Sequence, residues 1–384
     1  MKMTQPTFDP NDLPSPCYVC DLGRLRQNLE ILAAVRKRTG CRILLALKAF
    51  AMFSVFPLIR KYLQGTCASS IHEARLGREE FGGEVHVHAP AYAEKDMDEL
   101  LQLADHISFN SMSQLQLHRE KLQKSSRPVR SGLRINPQYS EVEVELYNPC
   151  APGSRLGITA EELQGHDLAG ISGLHFHTMC EQNADTLERT LLEVEKQFAS
   201  YFASLEWINF GGGHHITRKD YNVDLLCSLI NSFRERYGLE VYLEPGEAIA
   251  LNAGTLISTV QDIIDRETPI AVLDTSAAAH MPDVLEMPYR PEVAGGGMPG
   301  SGAYTYRLAG NSCLAGDVIG EYSFAAPLFI GQRVVFLDML HYTMVKNNTF
   351  NGVHLPAIAT YDPETGVVQV IREFGYQDYR TRLS

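Results

Sequence analysis

The chain has 384 residues, of which 45% are hydrophobic and 21% charged, a composition that argues against a collagen, a coiled coil or a disordered protein. Its 34 basic and 46 acidic residues give a net charge of -12, which disfavours a general nucleic-acid binder, whose affinity depends on neutralising phosphates. The eight cysteines show no disulfide framework, and no apolar signal or membrane segment is evident. These features predict a cytoplasmic protein with free thiols that binds neither nucleic acid nor membrane.

Eight short apolar runs succeed one another along the first two thirds of the chain, and each ends at a polar or turn residue. They occupy residues 43–47, 66–69, 85–89, 106–109, 132–135, 173–176, 207–210 and 241–243. Segments of helical periodicity separate them, for example 184–201 and 223–237. Strand and helix repeated eight times predict an α/β fold, a (β/α)8 TIM barrel over residues 21–262, close to the usual length of about 250 residues.

The pattern changes after residue 262, where strand-like segments continue and convincing helices become scarce. We therefore predict a C-terminal β-rich domain over residues 263–384, joined by the extended N-terminal segment 1–20. Cys17 and Cys20 form a single C-x-x-C pair in that segment, which favours a structural role.

The carboxyl ends of barrel strands carry the active site, and here they carry residues that can do chemistry. Lys48 is either an ordinary lysine that keeps its ammonium in solvent or a desolvated amine that forms a Schiff base. Gly211-Gly212-Gly213 either aims backbone N–H groups at an anion or forms a plain turn. Glu244 either caps a helix or accepts a hydrogen bond from a protonated ring nitrogen.

Two histidines, His175 and His177, alternate on the sixth predicted strand and so share one face. They are a structural pair, or metal ligands together with His214, His215 and Cys180, or they include one imidazole that stacks on a ring cofactor. No aspartate or glutamate is clearly placed to complete a metal site.

Cys313 and Asp317 lie in a glycine-containing turn of the β-rich domain. They are an acid and a cation-binding group, or a buried cysteine and a turn aspartate.

Long segments of the chain resemble the fold-type III pyridoxal-phosphate decarboxylases, and in particular the branch that acts on carboxynorspermidine and carboxyspermidine. The resemblance covers essentially the whole chain. It rests on these segments: LLALKAF (44–50), GLHFHTMCE (173–181), NFGGGHHIT (209–217), YLEPGEA (242–248), GNSCLAGDV (310–318) and HYTMVKNNTFNG (341–352). It implies the cofactor pyridoxal 5'-phosphate, a decarboxylase activity and a homodimer with shared active sites.

The resemblance also implies residue roles. Lys48 binds the cofactor covalently, Glu244 meets its ring nitrogen, and Cys313 acts near the substrate Cα from the partner subunit. Further cofactor contacts are implied for His177, Gly211, Gly212, Gly213, Gly246 and Tyr342.

The implied substrate is a small cationic carboxypolyamine, and an acidic chain suits it. Candidate substrate-binding residues are Glu247, Asp274, Asp283, Asp317 and Arg155. Many relatives have arginine where Glu247 stands and serine near Cys180, which puts ornithine and diaminopimelate specificity in doubt. Another amino-acid decarboxylase of the same fold is the main alternative. A metal-dependent barrel hydrolase and a non-catalytic pyridoxal-phosphate protein are the others.

Overall fold

The computed structural model describes residues 5–384. The chain forms two compact units. One unit comprises residues 28–249, and the other comprises the N-terminal residues up to Gln27 together with Ala250–Ser384. The first strand, β1, spans Cys17–Asp21, and the first helix, α1, spans Leu22–Thr39.

The unit of residues 28–249 is a closed barrel of eight parallel strands, each bonded to its neighbour in chain order. Its strands are β2 (Arg42–Ala46), β3 (Gly65–Ala68), β4 (Glu84–His88), β5 (His106–Phe109), β6 (Arg130–Arg134), β7 (Gly173–His175), β8 (Trp207–Asn209) and β9 (Glu240–Leu243). Its helices are α2 (Phe56–Ile59), α3 (Ile71–Leu76), α4 (Glu94–Leu103), α5 (Met112–Lys124), α6 (Ala160–Leu163), α7 (Ala184–Phe202), α8 (Val223–Tyr237) and α9 (Glu247–Ala250). All eight predicted barrel strands are confirmed.

The barrel interior is filled around Trp207, which is fully buried. Gly132 and Gly173 leave room for its indole, because a Cβ on either glycine would lie within 2.5 Å of an indole carbon. Arg42 and Arg130, at the amino ends of their strands, both form ion pairs with Glu240. One end of the barrel is thus closed by an ion-pair network, and the strand carboxyl ends remain for a ligand.

The other unit is built on a mixed sheet of eight strands. Besides β1 it contains β10 (Gly254–Ile264), β11 (Ile270–Leu273), β12 (Tyr304–Ala309), β13 (Val318–Phe324), β14 (Arg333–Leu337), β15 (Ala357–Asp362) and β16 (Val367–Arg372). The strand order is β13-β12-β11-β10-β1-β15-β16, with β14 also paired to β10. Its short helices are α10 (Ala277–His280), α11 (Asp283–Glu286), α12 (Thr343–Lys346) and α13 (Tyr376–Arg380).

Strand β10 explains why the sequence placed the domain boundary later, at residue 262. It continues directly from the last barrel elements, but it pairs with β1 on one side and with β14 on the other. β1 and β14 lie more than 70 residues away along the chain, and only the last residues of β10 pair with the neighbouring β11, so a local pattern does not reveal to which unit the strand belongs. Cys17 and Cys20 are buried and free in β1, in keeping with a structural role.

Among residues 5–384, no helix is both long enough and apolar enough to cross a membrane.

Candidate active site

The barrel brings four of the predicted residues to the carboxyl ends of its strands. Lys48 follows β2, His177 follows β7, Gly211 follows β8 and Glu244 follows β9. The last three come from consecutive strands, so their side chains and backbone converge. This is the end at which barrel enzymes bind their substrates.

Glu244 has a polar neighbour at each of its two carboxylate oxygens. Its Oε1 accepts a hydrogen bond of 2.7 Å from the side-chain amide of Asn209, and its Oε2 lies 3.3 Å from His175 Nε2. Burial opposes its ionisation, but His175, His86 and the Asn209 amide together outweigh burial and lower the pKa of Glu244 to about 2. At neutral pH, a carboxylate of this kind can accept a hydrogen bond from a protonated group.

His177 is fixed by the glycine loop that follows β8. The backbone N–H of Gly212 donates a hydrogen bond of 2.8 Å to His177 Nδ1. A neutral imidazole must then carry its proton on Nε2. Burial, followed by the charge of Lys48, lowers the pKa of His177 well below its ordinary value. His177 is therefore a neutral, oriented ring.

The glycines after β8 and β9 occupy positions that no other residue fits. Gly211 and Gly213 have left-handed backbones, with φ of +70° and +82°. An added Cβ would lie 2.3 Å from the Phe176 carbonyl at Gly211 and 1.9 Å from the Met179 carbonyl at Gly213. At Gly246 it would lie 2.5 Å from the Ala49 Cβ. The loop after β8 can pack against the segment after β7, and the loop after β9 against the segment after β2, only because these residues lack side chains.

Lys48 lies between two buried residues, but its own side chain is exposed. The structure therefore does not show the desolvated Lys48 amine that the Schiff-base interpretation expects. Its ammonium still acts on the site, because its charge contributes to lowering the pKa of His175 and of His177 and opposes burial at the Cys67 thiol.

The sequence did not reveal that Asn209 and His175 are the neighbours of the Glu244 carboxylate. Asn209 accepts the Gly211 N–H at 2.8 Å and donates to Glu244, so it joins the glycine loop to the carboxylate. A signal was available: each residue lies two positions before a predicted site residue, Gly211 or His177.

Two further predicted residues lie at the same barrel end. Glu247 is the first residue of α9, and its Oε1 lies 3.3 Å from His215 Nε2. Arg155 is exposed, and its charge contributes to lowering the pKa of the buried Arg134, after burial itself. Neither contact identifies a ligand.

The metal interpretation of His175 and His177 finds no support in the described residues 5–384. The groups of three side chains that could hold a metal ion there contain neither histidine. They are Glu84, His86 and His106 at one end of the barrel, and Glu181, His215 and Glu247 at the other.

The remaining predicted residues lie in the sheet unit. Cys313 is exposed, and its backbone N–H donates to Asn351 Oδ1 at 2.6 Å. Asp317 is only 3% exposed, and it accepts hydrogen bonds from the Ala277 N–H and from Ser312 Oγ. Asp317 therefore holds its own loop, and its role as a substrate contact stays a prediction.

The structure gives contacts within the sheet unit for Asp274 and Asp283, and a left-handed backbone for Tyr342. Asp274 Oδ1 accepts from Ser258 Oγ and from the Thr259 N–H, each at 2.8 Å. Asp283 forms an ion pair with Lys346, which offsets its charge. Tyr342 is half-buried, with a left-handed φ of +51°.

Comparison with known proteins identifies the family. A family model described as the pyridoxal-dependent decarboxylase, C-terminal sheet domain, matches residues 17–339. The chain belongs to the pyridoxal-dependent decarboxylases. It is 49% identical to the carboxyaminopropylagmatine decarboxylase of Synechocystis sp., over 97% of this chain and 96% of that protein. It is 44% identical to the carboxynorspermidine/carboxyspermidine decarboxylase of Campylobacter jejuni, over 96% of this chain and 98% of that protein.

A solved structure agrees with these relatives. The carboxynorspermidine decarboxylase of Campylobacter jejuni, in complex with norspermidine, matches with a TM-score of 0.90 and 42% identity, over 96% of this chain and 100% of that one. Diaminopimelate decarboxylase of Helicobacter pylori matches with a TM-score of 0.84 at 17% identity, a likeness of fold alone. The predicted family, fold, decarboxylase activity and pyridoxal-phosphate cofactor are confirmed.

The residues at the carboxyl ends of the barrel strands fit the ring and the phosphate of pyridoxal phosphate. Glu244 is an ionised acceptor for a ring nitrogen, and His177 is a neutral ring of fixed orientation. The N–H groups of Gly213 and Gly246 donate to no other group among the described residues, so they are available to phosphate oxygens.

Proposed function

We propose that this decarboxylase acts on carboxynorspermidine and carboxyspermidine, yielding norspermidine and spermidine, and that it works in the cytoplasm as a homodimer. The observation that carries the chemistry is the carboxylate of Glu244 at the end of β9, which accepts a hydrogen bond from Asn209 and lies 3.3 Å from His175. The substrate is supported by the Campylobacter jejuni relative and by a second carboxynorspermidine/carboxyspermidine decarboxylase, from Herminiimonas arsenicoxydans, at 38% identity over 97% of this chain. Eight free cysteines suit a reducing compartment.

Bound pyridoxal phosphate supplies an electron sink for the electron pair that remains when the bond between Cα and the carboxylate breaks. Glu244 would accept a hydrogen bond from the protonated ring nitrogen and keep that proton in place. An arginine at this position could not do so, because a guanidinium has no acceptor. An acid here favours decarboxylation over simple proton exchange at Cα.

Other residues of the chain hold and orient the cofactor. Lys48 would bind it covalently, and the flat His177 ring would pack against its face. The backbone N–H groups of Gly213 and Gly246 would bind the phosphate. Gly211, with its left-handed backbone, connects β8 to this loop. Tyr342 of the sheet unit is proposed as a further phosphate contact on the strength of its motif.

Cys313 is proposed to deliver the proton that replaces CO2 at Cα. A thiol is a suitable acid for this step, because it can donate a proton and regain it from solvent. Its exposed position and its anchored backbone leave the side chain accessible.

The proposed substrate has an α-amino acid at one end and two amines beyond it, so it is a net cation. Glu247 and Asp274 are the carboxylates we propose for its amines, with Asp283 as a weaker candidate because Lys346 already pairs with it. The net charge of -12 favours the approach of such a substrate.

A second candidate substrate is carboxyaminopropylagmatine, which the relative from Synechocystis is named for. That relative has the highest identity of those compared above, 49%. The two substrate types differ at the distal end, which is a guanidinium in one and an amine in the other. A planar guanidinium requires two aligned acceptors, whereas an ammonium does not.

A substrate panel tests the proposal. The purified protein is expected to show a visible absorption band of bound cofactor and to release CO2 from the carboxypolyamines. Carboxyaminopropylagmatine, ornithine, lysine, arginine and diaminopimelate complete the panel. The highest kcat/KM identifies the substrate, and a preference for ornithine or diaminopimelate would keep the chemistry and reject the proposed specificity.

Mixed subunits test the shared active site. Lys48→Ala and Cys313→Ala proteins are each expected to lose most of their activity, and together to recover activity, because one of the mixed sites then contains both native residues. A failure to recover activity after verified subunit exchange would contradict a site shared between two subunits.

A further inference from the structure

A chain of polar side chains leads to Glu244 through the interior of the barrel. It crosses four strands in the order β6, β4, β7 and β9. Its members are Arg134, His88, His175 and Glu244. Arg134 is 6% exposed and His175 is 3% exposed, whereas His88 and Glu244 are half-buried, so the chain joins a buried cation to a half-buried carboxylate.

The first histidine of this chain has a defined protonation state. Arg134 Nη1 lies 3.0 Å from His88 Nε2, and because a guanidinium can only donate, Nε2 is the acceptor. His88 Nδ1 lies 3.2 Å from the Ser108 carbonyl and donates to it. His88 is therefore a neutral imidazole, and its edge packs on His175 with ring centroids 5.2 Å apart.

His175 lies next to the carboxylate of Glu244. Its Nε2 lies 3.3 Å from Glu244 Oε2, and neither of its nitrogens makes a hydrogen bond to any group in the described residues in the present geometry. An imidazole buried without partners carries a substantial cost. A short adjustment towards Glu244 satisfies Nε2, and the carboxylate then has acceptor contacts on both oxygens, with Asn209 at the other.

We infer that His175 is a positioning residue for the decarboxylation: its Nε2–H holds Oε2 of Glu244, so that the carboxylate stays ionised and directed at the ring nitrogen of the cofactor. This inference rests on the proposed role of Glu244. A merely structural histidine would fill the same volume but would not affect the ring nitrogen.

The charges around His175 agree with a single proton on the ring. Burial, opposed by Glu244 and reinforced by Arg134 and Lys48, lowers the pKa of His175. His88 faces it from β4, and its neighbour His177 follows it on β7. Cys67 and His86 lie close enough to Glu244 to act on it electrostatically. The surrounding cations therefore disfavour the imidazolium.

The test compares His175→Gln with His175→Met. The two side chains are similar in size and flexibility, but only glutamine keeps an N–H donor. The apoprotein of each is titrated with pyridoxal phosphate and, separately, with an analogue that has carbon in place of the ring nitrogen. His118→Met is the control, because His118 is an equally buried histidine on α5, next to Tyr92.

His175→Met is expected to bind pyridoxal phosphate about tenfold more weakly than the native protein, the effect of one hydrogen bond to a charged group. It should bind the carbon analogue with unchanged affinity. His175→Gln should recover most of the loss, and His118→Met should bind both compounds normally. Equal losses for both compounds, or no loss with either, would overturn the inference.

A measurement on the native apoprotein covers the case in which His175→Met does not fold. Nitrogen-15 NMR of the histidine side chains, assigned by comparison with His175→Gln, is expected to show the proton of His175 on Nε2. A proton on Nδ1 would refute the inference. Both measurements are independent of turnover, so a protein that decarboxylates none of the panel would refute the proposed substrate and leave the test of His175 intact.

Discussion

The barrel end and the Cys313 loop use opposite ways to place a reactive group. In the barrel, functional side chains hold one another: Asn209 holds Glu244, and Gly212 holds His177. In the sheet unit, the loop backbone is held by Asp317 and Asn351, while the Cys313 side chain stays exposed. The comparison teaches that the first site is oriented before any ligand arrives, whereas the second presents its thiol on a braced loop. Substitutions should therefore affect the two regions differently.

The largest effect is expected at Lys48, the proposed covalent anchor. Lys48→Ala should lower kcat/KM by about a thousandfold or more and abolish the visible absorption band. Lys61→Ala is the matched control, since Lys61 is also exposed but lies away from the strand ends. A Lys48→Ala protein that keeps its absorption band would contradict the anchor role.

Cys313 should affect rate and not stability. Cys313→Ala is expected to lower kcat by about a hundredfold, the contribution of a general acid, and to leave the free energy of unfolding within about 0.5 kcal/mol of native. Steady-state kinetics and urea denaturation measure the two. A large loss of stability would mean that the loop depends on the thiol and not on its backbone anchors.

Substitution of Asp317 should affect stability more than rate. Asp317→Ala leaves the Ala277 N–H and Ser312 Oγ without their acceptor and is expected to cost about 1–3 kcal/mol of stability. Its kcat should fall less than that of Cys313→Ala. A normal stability with a strongly raised KM would instead support Asp317 as a substrate contact.

In the barrel, a matched pair of glycines separates backbone strain from close packing. Gly213→Ala should cost about 3–5 kcal/mol, because its Cβ would lie 1.9 Å from the Met179 carbonyl. Gly165 has a similar φ of +80° but no neighbouring atom within 4 Å, so Gly165→Ala should cost only about 1 kcal/mol. Similar costs at the two sites in urea denaturation would show that packing contributes little.

The smallest effect concerns acid stability. The pKa of Glu244 is lowered from 4.5 to about 2 in the folded protein, so its ionised form stabilises the fold above pH 4.5, and this contribution is lost as the pH falls towards 2. Native protein should lose about 1–2 kcal/mol more than Glu244→Gln between pH 5 and pH 3. Equal losses in urea denaturation at the two pH values would mean that the carboxylate is not stabilised by its neighbours.

The eight barrel strands were predictable because apolar runs of regular spacing are a local property of the sequence. Lys48, Glu244 and the glycines were predictable because each follows such a run and belongs to a recognisable motif. The part played by His175 was not, since its nearest polar neighbour is Glu244, 69 positions away in the chain. The hydrogen bonds of Asp317 were not predictable for a related reason: an aspartate in a turn has the same local pattern whether it faces solvent or its own loop.

By itself, the sequence determined the fold class and the candidate reactive groups, because strand periodicity and strand-end residues are local properties, and the resemblance of long segments indicated the family. Only the tertiary structure decided the ionisation of Glu244, the tautomer of His88, the burial of Asp317 and the membership of β10 in the sheet. Each of these depends on which distant strands become neighbours. Hydrogen bonds and pKa values respond to atoms a few ångströms away in space, whatever their separation in the chain.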